Sequence, residues 1–265
     1  MNRALITFGG AAYDSVTEQV NALGCAETGV DEFRVYDDVW LNAHPFRQLN
    51  AWLWEPTKHA APGRGFGWYA WKPRIILDAM SRLQPGDVVC YIDADSVPIA
   101  NISIVFETAA RDGAMLFRAS AHQNFRWCKR DTFKVMGLDR FWGREDQPAG
   151  CARWAAFKVG DYKSTQLLYE WLTYSINPLA TTFDPSVLGD EHPKLEEHRT
   201  EQAILTLLAL KYGYTLWREA DQDGVEFIGQ PDQPGDYPQL FRQIQKGGPH
   251  PLGAGSRFRN VEMPK

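Results

Sequence analysis

The chain has 265 residues, 44% of them hydrophobic and 23% charged, which suffices for one large domain or two small ones. A formal net charge of −5 argues against a nucleic-acid binder that relies on a basic field, and no apolar stretch approaches the length that spans a bilayer. The four cysteines (Cys25, Cys90, Cys128, Cys151) lack metal-ligand or redox spacing, and a strand starting at residue 3 leaves no room for a signal peptide, so a cytoplasmic setting is expected.

Residues 3–8 read as a first strand, followed by Gly9-Gly10 as a tight turn. Val16, Val20 and Leu23 fall at helical spacing between Asp14 and Ala26, and residues 33–36 form a second short strand closed by Asp37-Asp38. This strand–helix–strand opening belongs to α/β nucleotide-binding folds, but no phosphate-binding glycine fingerprint accompanies it, so a dinucleotide cofactor is not expected. Residues 44–71 are irregular and dense in aromatics, including Trp52, Trp54, Phe66, Trp68, Tyr69 and Trp71. Lys72-Pro73 then opens a helix, with Pro73 suited to a first helical position and Ile76, Leu77, Met80 and Leu83 on one face.

The stretch 88–95 organises the chain. Val88-Val89-Cys90-Tyr91-Ile92 is a short apolar run of the kind buried on both faces of a helix-covered sheet, and it ends abruptly in Asp93-Ala94-Asp95. Open α/β sheets bind ligands at the carboxyl ends of their strands. Alternation along an extended chain sends both aspartates to the same side, where two carboxylates repel unless a cation lies between them. Oxygen ligands of this type suit Mg2+ or Mn2+, ions that commonly bridge to substrate phosphates.

Beyond it, the pattern predicts a helix near 101–111, a strand at 114–117, a short helix at 129–136 and a polar loop at 143–150. A strand at 153–159, a helix at 161–176, a loop-like stretch at 177–195, a helix at 199–212 and a strand at 214–217 follow. From about residue 229, Pro and Gly recur and no period holds, so the expected organisation is one domain over 1–228 and an irregular tail over 229–265 that covers the active site.

The block Gly65-Phe66-Gly67-Trp68-Tyr69-Ala70-Trp71-Lys72-Pro73, followed by a helix and then Tyr91-Ile92-Asp93-Ala94-Asp95, resembles a bacterial and viral group of glycosyltransferases of the GT-A fold, distantly similar to families 8 and 32. Gln147-Pro148-Ala149-Gly150 resembles that group's glutamine-x-alanine-glycine loop, and His198-Arg199-Thr200-Glu201-Gln202 its histidine-arginine-x-aspartate-glutamine helix start. The resemblance implies an α/β nucleotide-diphospho-sugar transferase fold with a mostly parallel sheet flanked by helices. It implies transfer of a sugar from a nucleotide-diphosphate donor, a UDP-sugar foremost, to a glycan or other acceptor, with retention and with Mn2+ or Mg2+ as cofactor. Asp93 and Asp95 would hold the cation bridging the donor diphosphate, with Lys72 near the phosphates. Thr7, Phe8 and Tyr13 would meet the nucleoside, and Ala149 and Gly150 would line the sugar pocket. Gln202 would face the reacting anomeric carbon, with Glu201 in place of the usual aspartate beside it. His250, in an incomplete version of the family's C-terminal histidine segment, would complete the metal site, with His198 as its competitor.

Two other readings fit part of the pattern. Asp93-Ala94-Asp95-Ser96-Val97 also matches the opening motif of haloacid-dehalogenase-like phosphatases, in which Asp93 would be the nucleophile, although that motif normally opens its domain. A non-catalytic sugar-nucleotide-binding protein is the third.

Overall fold

A computed structural model describes residues 1–9, 28–55 and 66–243. The expected helix over 14–26, Tyr13 and His250 lie outside the described residues. The elements are β1 (Arg3–Phe8), β2 (Glu32–Tyr36), α1 (Asp38–Ala43), α2 (Pro45–Leu49), α3 (Trp71–Met80), β3 (Val88–Ile92), β4 (Ser96–Pro98), α4 (Ser103–Asp112), β5 (Ala114–Gln123), α5 (Arg130–Val135), β6 (Pro148–Lys158), α6 (Tyr162–Ser175), α7 (Pro178–Thr181), α8 (Thr200–Tyr212), β7 (Leu216–Trp217) and β8 (Phe241–Gln243).

The architecture is mixed α/β. Six strands form one sheet in the order β2-β1-β3-β6-β5-β7, and β6 alone runs against the other five. All five residues of β3 are buried, as its unbroken apolar run predicts. Alternation divides them between two cores. Val89 and Tyr91 join the larger layer beneath α3, α6 and α8, while Val88, Cys90 and Ile92 join the layer beneath α4 and the small β4–β8 sheet. Helix α8 is buried nearly all round, with Ala203, Ile204, Leu205, Leu207, Leu208 and Ala209 in the core, which is why its apolar residues follow two rows rather than one stripe. Among the described residues no helix is long and apolar enough to cross a membrane.

Local chemistry fixes the ends. Asp37 caps α1 by accepting from Trp40 N, Asp161 caps α6 by accepting from Ser164 N, and Gly213 closes α8 in the left-handed region at φ 64°. Helix α2 occupies the start of the stretch expected to be irregular, and α1 lies just before it; their signals, Asp37 as cap and Pro45 at a first position, stand in the sequence.

Three segments differ from the sequence expectation. Strand β5 extends to Gln123 and pairs with β6 from Pro148 onward, so residues 148–150 at the end of the expected loop, and the two residues after them, are strand while 143–147 are not. Register shifts after Leu116 and Arg118, together with the exposed end of β5, remove the alternation that reveals strands. The start of the expected tail is ordered: β8 pairs with β4, immediately after Asp95.

Arg218 makes that return possible. Fully buried, it donates from Nε to Gly235 O (3.1 Å), from Nη1 to Glu219 O (3.1 Å) and Gly224 O (2.9 Å), and from Nη2 to Tyr237 O, with its guanidinium 4.5 Å from the Tyr237 ring centroid.

Candidate active site

The carboxyl end of β3 meets the start of α3, the start of α8 and the middle of β6. Asp93 N donates to Arg153 O (2.9 Å), and Ser96 N donates back to Asp93 O (2.9 Å), so residues 93–96 turn rather than continue extended as alternation predicted. The aspartates therefore take different neighbours. Asp93 Oδ1 accepts from the Tyr91 hydroxyl (2.5 Å) and pairs with Lys72 Nζ (2.9 Å). Among the described residues Asp95 Oδ1 is buried without a hydrogen-bond partner, and its carboxyl is pushed up to about 7 by burial and then by the Asp93 charge, against the pull of Arg153 and Lys72.

Lys72, expected beside donor phosphates, is 3% exposed. Its ammonium lies 3.1 Å from Glu201 Oε1 and donates to Ala152 O (3.2 Å), besides its pair with Asp93, and it sits over the rings of Tyr69 and Tyr91 at 5.0 and 5.4 Å. Burial alone would lower its affinity for the proton, but the two carboxylates override that and keep it firmly charged. Glu201 is also buried; burial raises its carboxyl, while Lys72 and the Thr200 hydroxyl oppose the rise. The Trp171 indole fixes the same turn by donating to Glu201 O (2.9 Å). Gln202 follows on the first turn of α8 and is partly exposed.

Backbone strain concentrates nearby. Gly67, Trp68 and Tyr69 take left-handed φ of 55°, 52° and 56° in succession, and Thr200 takes 42°. Gly67 is obligatory twice over, because a Cβ there would also lie 2.9 Å from the Trp54 indole. Strain of this kind, gathered where α3 and α8 approach β3, is common at functional sites.

Other expected residues are placed as follows. Thr7 is fully buried, its hydroxyl without a hydrogen-bond partner among the described residues. The Phe8 ring packs at 4.3 Å from that of Trp71. Ala149 lies in the core, and Gly150 N donates to Thr206 Oγ1 (2.8 Å), which itself donates to Gln202 O (2.8 Å), so the start of β6 docks directly on α8. His198 is buried with both ring nitrogens engaged: Lys129 N donates to Nδ1 (3.4 Å) and Nε2 lies 2.9 Å from Ala180 O. Burial and Lys129 push its pKa down to about 3, so it is neutral, and with both nitrogens engaged it offers no free nitrogen to a metal.

A second acidic group was not anticipated. Glu219, Asp221 and Asp223 bring carboxylate oxygens within 4.8 Å of one another. Arg153 runs through them, paired with Glu219, 3.1 Å from Asp221 Oδ2 and 4.0 Å from Asp223 Oδ2, and its charge also acts on Asp95. The alternating acids at 219, 221 and 223 before Gly224 were visible in the sequence, but nothing there linked them to Arg153. Around Lys72 and Arg153 the site gathers six carboxyl groups (Asp93, Asp95, Glu201, Glu219, Asp221, Asp223), and burial raises those of Asp95, Glu201 and Asp221. That gathering favours a cation from solution. Hard carboxylate oxygens, one of them buried without a partner on Asp95, fit Mg2+ or Mn2+.

No family model matches the sequence, and neither does any curated protein. Solved structures do resemble the fold. Mouse xyloside xylosyltransferase 1, in its apo form, is 11% identical over 95% of this chain and 100% of its own, with a TM-score of 0.46. The apo bifunctional glycosyltransferase WbbM is 11% identical over 78% of this chain and 37% of its own (TM-score 0.44). The apo glycosyltransferase GlyE of Streptococcus pneumoniae TIGR4 is 14% identical over 93% of this chain and 55% of its own (TM-score 0.43). The chain is thus similar in shape to glycosyltransferases, at scores too low to assign its activity, which has to be read from the site itself.

Proposed function

We propose that the protein is a metal-dependent glycosyltransferase, moving a sugar from a nucleotide-diphosphate donor to an acceptor with retention. The observation that carries this reading is the Asp93–Asp95 pair at the carboxyl end of β3, with one Asp95 oxygen buried and unpartnered inside a cluster of carboxyl groups. Asp95 and the free oxygen of Asp93 would hold the cation. A bound Mg2+ or Mn2+ would supply Lewis-acid stabilisation of the diphosphate as it leaves.

The chain's own residues do the rest by binding and orienting. Thr7 and Phe8, at the end of β1, would meet the nucleoside, and Gly150 in β6 bonds to α8 through Thr206 beside Gln202. Gln202, partly exposed on the first turn of α8, offers an amide to the positive charge that develops on the donor sugar. Glu201 is held away from solvent and acts through Lys72 and the turn it anchors. His250 remains the proposed closing ligand from the tail. The phosphatase reading needs Asp93 as a nucleophile on a strand that opens its domain, yet β1 and β2 precede that strand here.

The test is a panel of nucleotide-sugars, UDP-sugars first, assayed for Mn2+-dependent donor hydrolysis. Asp95→Asn, close to isosteric, should abolish turnover and leave the melting curve unchanged. Full activity of that variant in chelator would remove the glycosyltransferase reading, and tight nucleotide-sugar binding without turnover would favour a binding protein.

A further inference from the structure

We infer that Lys72 is a positioning residue: it competes with the bound cation for Asp93 and ties the aspartate pair to the start of α8 through Glu201. This rests on the metal-site reading of Asp93 and Asp95 above. The ammonium is 4% exposed at its side chain and is shared between Asp93 Oδ1 at 2.9 Å and Glu201 Oε1 at 3.1 Å, with Ala152 O completing its donors at 3.2 Å. All three of its hydrogens thus have oxygen partners within the protein, and none is left for a donor phosphate.

Both known contacts on Asp93 fall on Oδ1, from Lys72 and from the Tyr91 hydroxyl, which leaves Oδ2 for a cation. Lys72 therefore limits what Asp93 can give: one oxygen, in a fixed direction, with its charge already half spent. Asp95, whose Oδ1 has no partner, is left as the stronger ligand. The second arm of Lys72 reaches Glu201, the residue before Gln202, so the element that positions the donor's cation and the element that carries the proposed anomeric contact share one buried charge. Glu201 sets the balance. It draws the ammonium away from Asp93, and without it Asp93 would be the one carboxylate left to Lys72.

That balance gives opposite signs for two substitutions, which a merely structural lysine would not. Lys72→Met keeps an unbranched chain of similar length and removes the competing charge. Mn2+ affinity, measured without nucleotide by the electron paramagnetic resonance signal of free Mn2+, should then tighten on the order of tenfold, because one repelling unit charge leaves the pair that holds the ion. Glu201→Gln should loosen Mn2+ binding, because Lys72 then pairs with Asp93 more fully. Tyr91→Phe should tighten it, and it serves as the second route should Lys72→Met fail to fold. UDP binding in chelator should be the same in Lys72→Met as in wild type; a loss there would return the lysine to the phosphates and overturn the inference. Unchanged or weaker Mn2+ binding in both Lys72→Met and Tyr91→Phe, or tighter binding in Glu201→Gln, would overturn it too. Asp95→Asn separates the two levels. If that variant still binds Mn2+ as wild type does, the metal-site reading itself fails; if it does not, a null result at Lys72 sinks only the positioning role.

Discussion

Replacing Arg218 with methionine tests whether the return of the chain to Asp95 depends on one buried cation. Methionine fills much of the same space without charge, so the loss is one of hydrogen bonds rather than of volume. Four carbonyls, those of Gly235, Glu219, Gly224 and Tyr237, lose their donor together inside the protein. Bonds from a charged donor contribute about 1.5–3 kcal/mol each, and a buried acceptor left unmet costs about 1–3 kcal/mol. Against this, the guanidinium no longer has to be held away from water, a burden visible in its lowered pKa through burial. The net loss should be about 3–5 kcal/mol, the range found when one partner of a buried charged network is removed. For a chain of this size that corresponds to a fall in Tm of roughly 10 °C. Calorimetry gives the Tm, and limited proteolysis locates the damage: new cleavage should fall between residues 229 and 243, while the sheet around β3 stays resistant. A Tm within about 2 °C of wild type, or cleavage spread evenly over the chain, would refute the anchoring role of Arg218.

Gln202→Ala should cut turnover sharply with little change in donor affinity, the pattern of an interaction made in the transition state; NMR at the new anomeric carbon checks retention, and an inverted product refutes it. Acid should destabilise the fold through His198. Its pKa is about 3 folded against 6.5 unfolded, so between those values the unfolded chain binds a proton that the folded chain refuses. Stability is therefore complete above pH 6.5 and falls as pH drops through that window, by about 1.4 kcal/mol per unit, and His198→Gln should flatten this slope in urea titrations. His250→Ala should raise the Mn2+ concentration needed for half-maximal donor hydrolysis; an unchanged requirement would take the tail out of the site.

The sheet was legible where burial leaves a strong pattern. The apolar run 88–92 forms a strand buried on both faces, as its unbroken pattern predicts, whereas the aspartates after it turn instead of continuing extended. The outer half of β5 and the start of β6 were not legible, since exposed residues and register shifts carry no period. Within the site, residue types were readable and partnerships were not. Lys72 stands at a helix start and reads as available to a phosphate; only the fold shows that Glu201 and Asp93 converge on it. Arg153 has the same history, an ordinary strand residue until residues 219–223 close around it. Long-range ion pairs leave no local signature.

The ion triad of Lys72, Asp93 and Glu201 also bears on how the chain folds. Its members come from the start of α3, the end of β3 and the start of α8, with the whole β5–β6 ribbon and α6 intervening in sequence. Closing such a contact has to wait until the long intervening loop has been ordered, whereas β5 and β6 can pair early across a shorter connection. Until α8 docks, the lysine faces one carboxylate instead of two, in an interior where an incompletely matched charge is costly. The docking of α8 and the completion of the proposed site are then the same event. A nascent chain that has not yet produced α8 would hold both aspartates and still lack the arrangement that directs them.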